Sequence, residues 1–172
     1  MSNFKDKEPE LPSYLNKDFD VISQWIKDER SHALWCANLI PYPLEKKGYD
    51  DLLQQVEERF GDSPFVATTD EGKVVGFFCF SVNLSTNEGM LKFVVIDNTI
   101  RNMGYGSEML KLAVRYAFEI AKADAVQLNV FPENERAKKC YLKVGFKERA
   151  LTENAFRFKD ELWERCNMVI TK

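Results

Sequence analysis

The stretch "MLKFVVIDNTIRNMGYGSEML", residues 90–110, carries three local signals in one line. "MLKFVVI" is a short apolar run with β-branched residues, and it predicts a strand. "RNMGYG" has a basic residue followed by two glycines two apart. Beyond it, Met109, Leu110, Ala113, Val114, Ala117, Ile120 and Ala121 recur at helical spacing, with Glu108, Lys111, Arg115 and Glu119 on the opposite face. A turn from a strand into a helix N-terminus collects N–H groups without helical partners and the positive end of the helix dipole. Anions bind at such a place. Glycine lets the backbone approach a ligand closely, and Arg101 adds a fixed charge suited to phosphate.

Two common phosphate turns fail on these residues. The dinucleotide fingerprint G-x-G-x-x-G requires glycine where the chain has Met109. The triphosphate loop requires lysine after its last glycine, and Ser107 follows Gly106. A nucleotide-binding oxidoreductase is therefore disfavoured. A diphosphate held by main chain, or a plain tight turn, is left.

Outward from this stretch the pattern is legible on both sides. Asn16 or Asp18 caps a predicted helix carrying Phe19, Ile22, Trp25 and Ile26, whose last turns run into "SHALWCANL". Pro41 and Pro43 break it. "YDDLLQQVEERF" resumes helical spacing and ends at Gly61. "FVATT" and "KVVGFFCFSV" form a hairpin, and "NLSTNEG" turns it into the strand at 90–96. After the helix come the strand "AVQLNV", a short helix in "NERAKKCYLKVG" and a closing hairpin, "FKERALTENAFRF" with "LWERCNMVIT". The strand–helix–strand connection predicts a parallel pair inside an otherwise antiparallel sheet. The expected fold class is mixed α/β (α+β), with helices covering both faces of the sheet.

Composition narrows the partners. The chain has 172 residues, 45% of them hydrophobic, which suits one globular domain. The net charge of −3 argues against nucleic-acid binding, which needs a basic surface. No apolar run is long enough to span a bilayer, and "MSNFKDKEPELP" has no signal-like apolar segment, so a cytoplasmic protein without a membrane partner is expected. Cys36, Cys79, Cys140 and Cys166 lack metal-ligand spacing, and His32 is the only histidine. No metal is expected; the thiols read as small buried side chains in a reducing compartment.

Arg101, Gly104 and Gly106 after a strand, followed by Asn134, Ala137, Tyr141, Gly145 and Phe146 in "NERAKKCYLKVGF", form a joint pattern. It resembles the GNAT superfamily of acyl-CoA N-acyltransferases, whose motifs are [R/Q]-x-x-G-x-[G/A] and N-x-x-[AS]-x-x-x-Y-x-x-x-G-F. The resemblance is specific between about residues 90 and 146. "WIKDERSHALWC", "YPL" and "FKDELWERCNMVI" are similar to a bacterial branch near the ribosomal-protein N-terminal acetyltransferases. Asn102 departs from the pattern, since many members carry glycine there.

The resemblance implies one GNAT-like domain over residues 1–172: acceptor-side helices at about 16–60, an acetyl-CoA-binding core at about 65–146 and a closing hairpin at about 146–171. It implies a splay at the parallel pair. The CoA pyrophosphate would lie on Met103, Gly104, Tyr105, Gly106 and Ser107, beside Arg101 and Asn102. The pantetheine arm would run along Val94, Val95 and Ile96, with Asn129 and Asn134 as hydrogen-bonding partners. Arg136, Lys138 and Lys139 would meet the 3′-phosphate or simply form a solvated face. Tyr141 would be the general acid that protonates the leaving thiolate, or else a core residue. Where many members have a glutamate, eleven positions before Arg101, this chain has Met90. Glu88 is the replacement base candidate, if it is not merely a turn carboxylate; a water held by backbone carbonyls is the other option. His32 reads as surface or structural. Trp25, Trp35, Tyr42 and Tyr49 divide between core and acceptor pocket.

The function implied is transfer of acetyl from acetyl-CoA to a primary amine, small or peptidic, in a ternary complex. The alternative is a non-catalytic acyl-CoA-binding sensor, motivated by Met90. The protein would be a monomer or homodimer.

Overall fold

The computed structural model describes residues 11–100 and 103–172. Arg101 and Asn102 lie outside the described residues. Six strands form one sheet: β1 (Ser63–Thr68), β2 (Val74–Asn83), β3 (Glu88–Ile96), β4 (Ala125–Val130), β5 (Lys147–Phe158) and β6 (Glu161–Thr171), in the order β1-β2-β3-β4-β6-β5. Every neighbouring pair is antiparallel except β3 with β4, which is parallel as the connection predicted. Helices cover both faces. On one lie α4 (Tyr105–Arg115), running on into a π turn at 116–120, and α5 (Glu135–Val144). On the other lie α1 (Phe19–Ile22), α2 (Glu29–Cys36) and α3 (Lys46–Phe60).

Each face has its own core. Leu91, Val126, Leu128, Cys166 and Met168 point from the sheet to α4 and α5, where Met109, Leu110, Ala113 and Tyr141 meet them. Val66, Phe77, Cys79 and Val95 point the other way, onto Ile22, Trp25, Tyr49, Leu52 and Val56. A third cluster of Ala33, Phe131, Phe158 and Trp163 ties α2 to the closing hairpin. Arg30 adds to that tie, with its guanidinium 5.1 Å from the Trp163 ring and a 2.6 Å ion pair to Glu161.

The parallel pair is short. Glu88 to Leu91 pair with Ala125 to Leu128, and there the ladder stops, although β3 continues to Ile96 and β4 to Val130. A bulge accompanies the parting. Cys79 pairs with Lys92 but Phe77 pairs with Val95, so β3 carries an extra residue against β2. Phe93 takes it up at φ 54°, a left-handed conformation unusual for a bulky residue. Its carbonyl accepts a 2.9 Å hydrogen bond from Trp35 Nε1 on α2. Because strand side chains alternate, the extra residue swaps the faces. Leu91 faces α4 before the bulge; after it Val94 and Ile96 do, while Val95 packs against the α1–α3 core.

The N-terminal helix differs from the single long one expected. It is broken into α1, flanked by 3₁₀ turns at Asn16–Asp18 and Ser23–Trp25, and a separate α2. The physical reason is Asp28. Its carboxylate accepts from the Ser31 N–H at 2.8 Å and from Ser31 Oγ at 2.7 Å, which starts a new helix at Glu29. Phe19, Ile22, Trp25 and Ile26 are nonetheless buried together. Asp18 caps the first turn by accepting from Leu15 N–H at 2.7 Å.

Burial pushes the phenols of Tyr14, Tyr49 and Tyr141 and the thiol of Cys79 well above their ordinary values, with desolvation the main cause in each. Their stabilisation is present at neutral pH, where the groups are protonated in both states. Above about pH 10 the unfolded chain releases these protons while the folded chain holds them, so stability falls as pH rises. Thermal melting between pH 7 and 11 should show the decline. Tyr49→Phe should lessen it without loss at pH 7, because the Tyr49 hydroxyl is sealed without a partner among the described residues. A flat profile would contradict this.

Candidate active site

Where β3 and β4 part, a cleft of about 980 Å³ passes through the sheet from the α4–α5 side to the α2 side. Its lining includes Val94, Val95, Ile96, Gly104, Tyr105, Gly106, Ser107, Asn129, Asn134 and Tyr141. Ten sequence-separated candidates thus share one cavity. Met103 is exposed on the turn outside the lining.

At one end stands the N-terminus of α4. Gly104 is its cap, at φ 84°, the left-handed region glycine enters without strain. The helix offers no acceptor to the N–H groups of its first turn, and its dipole makes the place electropositive. Gly106 keeps this turn close to its neighbours: a Cβ there would lie 3.4 Å from Cys140 Sγ and 3.6 Å from Ile96. Cys140 itself is half-buried, lines the cleft and sits 3.6 Å from Ser107 Oγ, so it is less enclosed than the buried-thiol reading held.

Arg136, Lys139 and Lys143 line the same cleft from α5. Their spacing of three and four places them on one stripe of the helix, and none is in an ion pair among the described residues. Lys138, grouped with them on sequence, points elsewhere and pairs with Glu148 on β5. Lys143 was the cation missed; its spacing from Arg136 and Lys139 was the available signal.

Two asparagines offer amide donors. Asn134 Oδ1 caps α5 by accepting from Ala137 N–H at 3.4 Å, and Asn129 Oδ1 accepts from Asn167 Nδ2 at 3.0 Å. The Nδ2 group of each has no partner among the described residues. Across the gap, the inner edges of β3 and β4 have left their ladder. Unpaired main-chain groups beside amide donors suit an extended ligand that carries amides of its own.

Tyr141 stands between the two ends. It is 6% exposed, and its ring packs edge-on against Phe146 at 6.1 Å between centroids. Its hydroxyl has no hydrogen-bond partner among the described residues, yet it is not one of the sealed unpartnered atoms, so it opens to the cleft. Desolvation, then the nearby Cys140, push its pKa well above the ordinary phenol value. The group therefore stays protonated and can donate, not abstract, a proton at neutral pH.

The structure does not bring Glu88 to this cleft. It begins β3 on the same face as Met90, as strand alternation requires, but Arg149 holds it at 2.8 and 3.2 Å and Gln127 Nε2 donates to it at 3.0 Å. Met90 lines the cavity and Glu88 does not. The geometry fits a structural carboxylate at the strand start, and the base role loses its geometric support. His32 is fully buried and also outside the lining, with Nε2 donating to the Ile40 carbonyl at 2.7 Å. Trp25 and Trp35 line the α2 end of the cleft, whereas Tyr49 is core and Tyr42 bonds the Lys27 carbonyl from the surface.

A cleft between parted parallel strands, with a glycine turn at one end, is the architecture of an acyl-CoA-dependent acyltransferase, and similarity to known proteins agrees. Residues 7–146 match the acetyltransferase (GNAT) family model. The uncharacterized N-acetyltransferase MJ1530 of Methanocaldococcus jannaschii is 30% identical over 141 residues, which are 82% of this chain and 80% of that protein. The chain belongs to the acetyltransferase (GNAT) family. Among solved structures, spermidine N-acetyltransferase from Vibrio cholerae in complex with CoA and spermine superposes with a TM-score of 0.79 over 94% of each chain, at 16% identity. A chimera of that enzyme gives a TM-score of 0.76 at 18% identity, again over 94% of each chain. These two likenesses are of fold. Among the described residues, no helix is long and apolar enough to cross a membrane.

Proposed function

We propose that the protein transfers the acetyl group of acetyl-CoA to a primary amine by direct attack. The observation that carries this is the parted β3–β4 pair, with an anion-binding helix start at one end and an open, protonated tyrosine hydroxyl between the ends. The pyrophosphate rests on the turn at Gly104–Ser107, and the pantetheine amides bond the free edge at Val94–Ile96 and the Nδ2 groups of Asn129 and Asn134. Arg136, Lys139 and Lys143 meet the remaining phosphate charge. Residues 16–60 form the acceptor wall, 65–146 the donor-binding core and 146–171 the closing hairpin.

The amine nitrogen bonds to the thioester carbon and the carbon–sulfur bond breaks. The sulfur leaves with a proton from Tyr141, the nitrogen releases its own proton to water, and water returns a proton to the Tyr141 phenolate. Among the described residues, no carboxylate or imidazole lines the α2 end to take that proton. An acceptor that is already partly neutral is therefore favoured. At pH 7 about one α-amine in ten is neutral, against about one lysine-type amine in 2,500.

Free thiol released from acetyl-CoA, followed with a panel of small amines and peptides, tests the reading. Turnover with at least one class of amine is expected. CoA binding without turnover on any of them would favour the acyl-CoA sensor, the role suggested by Met90 standing where many relatives carry glutamate.

A further inference from the structure

We infer that the acceptor end of the cleft recognises an amine bearing a carboxylate, through the guanidinium of Arg165, and is not built for a polycation. This rests on the transferase reading above and names its substrate class. Phosphate-binding groups occupy the α4–α5 end, so the acceptor must enter from the end walled by Ser31, Leu34, Trp35, Met90, Lys92 and Arg165.

The charges there are of one sign. Lys92 and Arg165 line this end, and among the described residues the one carboxylate in the lining, Glu135, belongs to the first turn of α5. Lys92 is committed, 2.8 Å from the buried Asp62 and 4.1 Å from the Phe60 ring centroid. Arg165 is not. It is exposed and lines the cleft, with no hydrogen bond or ion pair among the described residues.

The strand register puts it near Asn129. Asn167, two residues on along β6, pairs with Asn129 and bonds its side chain, so Arg165 and Asn129 share the sheet face that looks toward α2. Asp28 and Asp62 are bonded to the lining residues Ser31 and Lys92, and Glu29, Glu161 and Glu88 are ion-paired with Lys159, Arg30 and Arg149. Glu133, after β4, has one oxygen sealed without a partner and does not line the cleft. A polyamine would thus meet cations and no available carboxylate. An anion beside the reacting amine would meet a forked donor suited to it.

Two measurements on the intact protein test this. In the first, a peptide with a free N-terminus and aspartate at its second position is titrated calorimetrically into the CoA complex. The asparagine and lysine counterparts, free glutamate and spermidine are titrated alongside. Binding of the aspartate peptide or of glutamate is expected to be about tenfold tighter than that of the asparagine peptide, with spermidine weakest. Glutamate alone binding would identify a free amino acid as the source of the carboxylate, and the peptide alone an acidic N-terminus. Arg165→Gln should erase the preference and Arg165→Lys should keep part of it.

In the second measurement, thiol release gives kcat and KM for the same panel. Arg165→Gln should raise KM for the acidic acceptor about tenfold more than for the asparagine peptide, with little change in kcat. Spermidine or the lysine peptide binding best, or Arg165→Gln weakening every acceptor alike, would overturn the inference. Preferential binding of the acidic acceptor without turnover would instead leave the anion site standing and remove the transferase reading.

Discussion

Tyr141→Phe lowers kcat about 100-fold and leaves the dissociation constant for CoA nearly unchanged. The expectation follows from where the hydroxyl sits. The ring is buried between α4 and α5 and packs on Phe146, contacts a phenylalanine ring reproduces. The hydroxyl makes no hydrogen bond to the described residues, so its removal orphans no buried group. Melting temperature should therefore hold while turnover falls. A core tyrosine with no chemical duty would predict the reverse emphasis, with kcat unchanged. The pH profile adds a second check. Because burial holds the phenol protonated above its ordinary range, Tyr141 supplies no alkaline limb below about pH 10. The rise in rate with pH should instead follow the acceptor amine, shifting when an α-amine replaces a lysine-type amine.

Gly104→Val weakens CoA binding between about 5-fold and about 150-fold. Among the described residues nothing crowds the position: a Cβ there meets no atom within 4 Å. The cost is conformational. At φ 84° a β-branched residue is strained by about 1–3 kcal/mol, and the turn relaxes away from the shape that aims the first N–H groups of α4. Gly104→Ala should fall between wild type and valine. The loss should appear in CoA affinity, read by calorimetry, with α4 retained. Equal affinity in all three would detach the glycine turn from cofactor binding.

Much of this site is local, and therefore legible in the chain. Gly104 and Gly106 sit where a strand meets a helix, Asn134 is a helix cap and Tyr141 lies about two turns further along the same helix. Short-range geometry places each of them, which is why the spaced motifs that carry the family resemblance can be read in the chain. What sequence missed depends on distant partners. Glu88 is fixed by Arg149, 61 residues away, and nothing around residue 88 announces that neighbour. The bulge at Phe93 hides inside an unbroken apolar run; its support is Trp35, 58 residues upstream. The apolar run could not show that Val95 turns away from Val94 and Ile96 onto the opposite core. Lys138 was grouped with the cleft cations because only the path of β5 reveals its partner, Glu148, whereas Lys143 was overlooked although its spacing was readable. Arg165 drew no attention in an alternating strand, where a solvent-facing arginine is ordinary. Its significance appears once the cleft and the paired carboxylates around it are seen together.

The central claim is that the gap between β3 and β4 seats the acyl-CoA arm. Amide hydrogen exchange with and without acetyl-CoA reads that directly, segment by segment. The account predicts slowed exchange concentrated in residues 93–96 and 104–107, with the β1–β2 and β5–β6 ladders unchanged. Bound acetyl-CoA that protects other segments and leaves both of these at their free rates would contradict it.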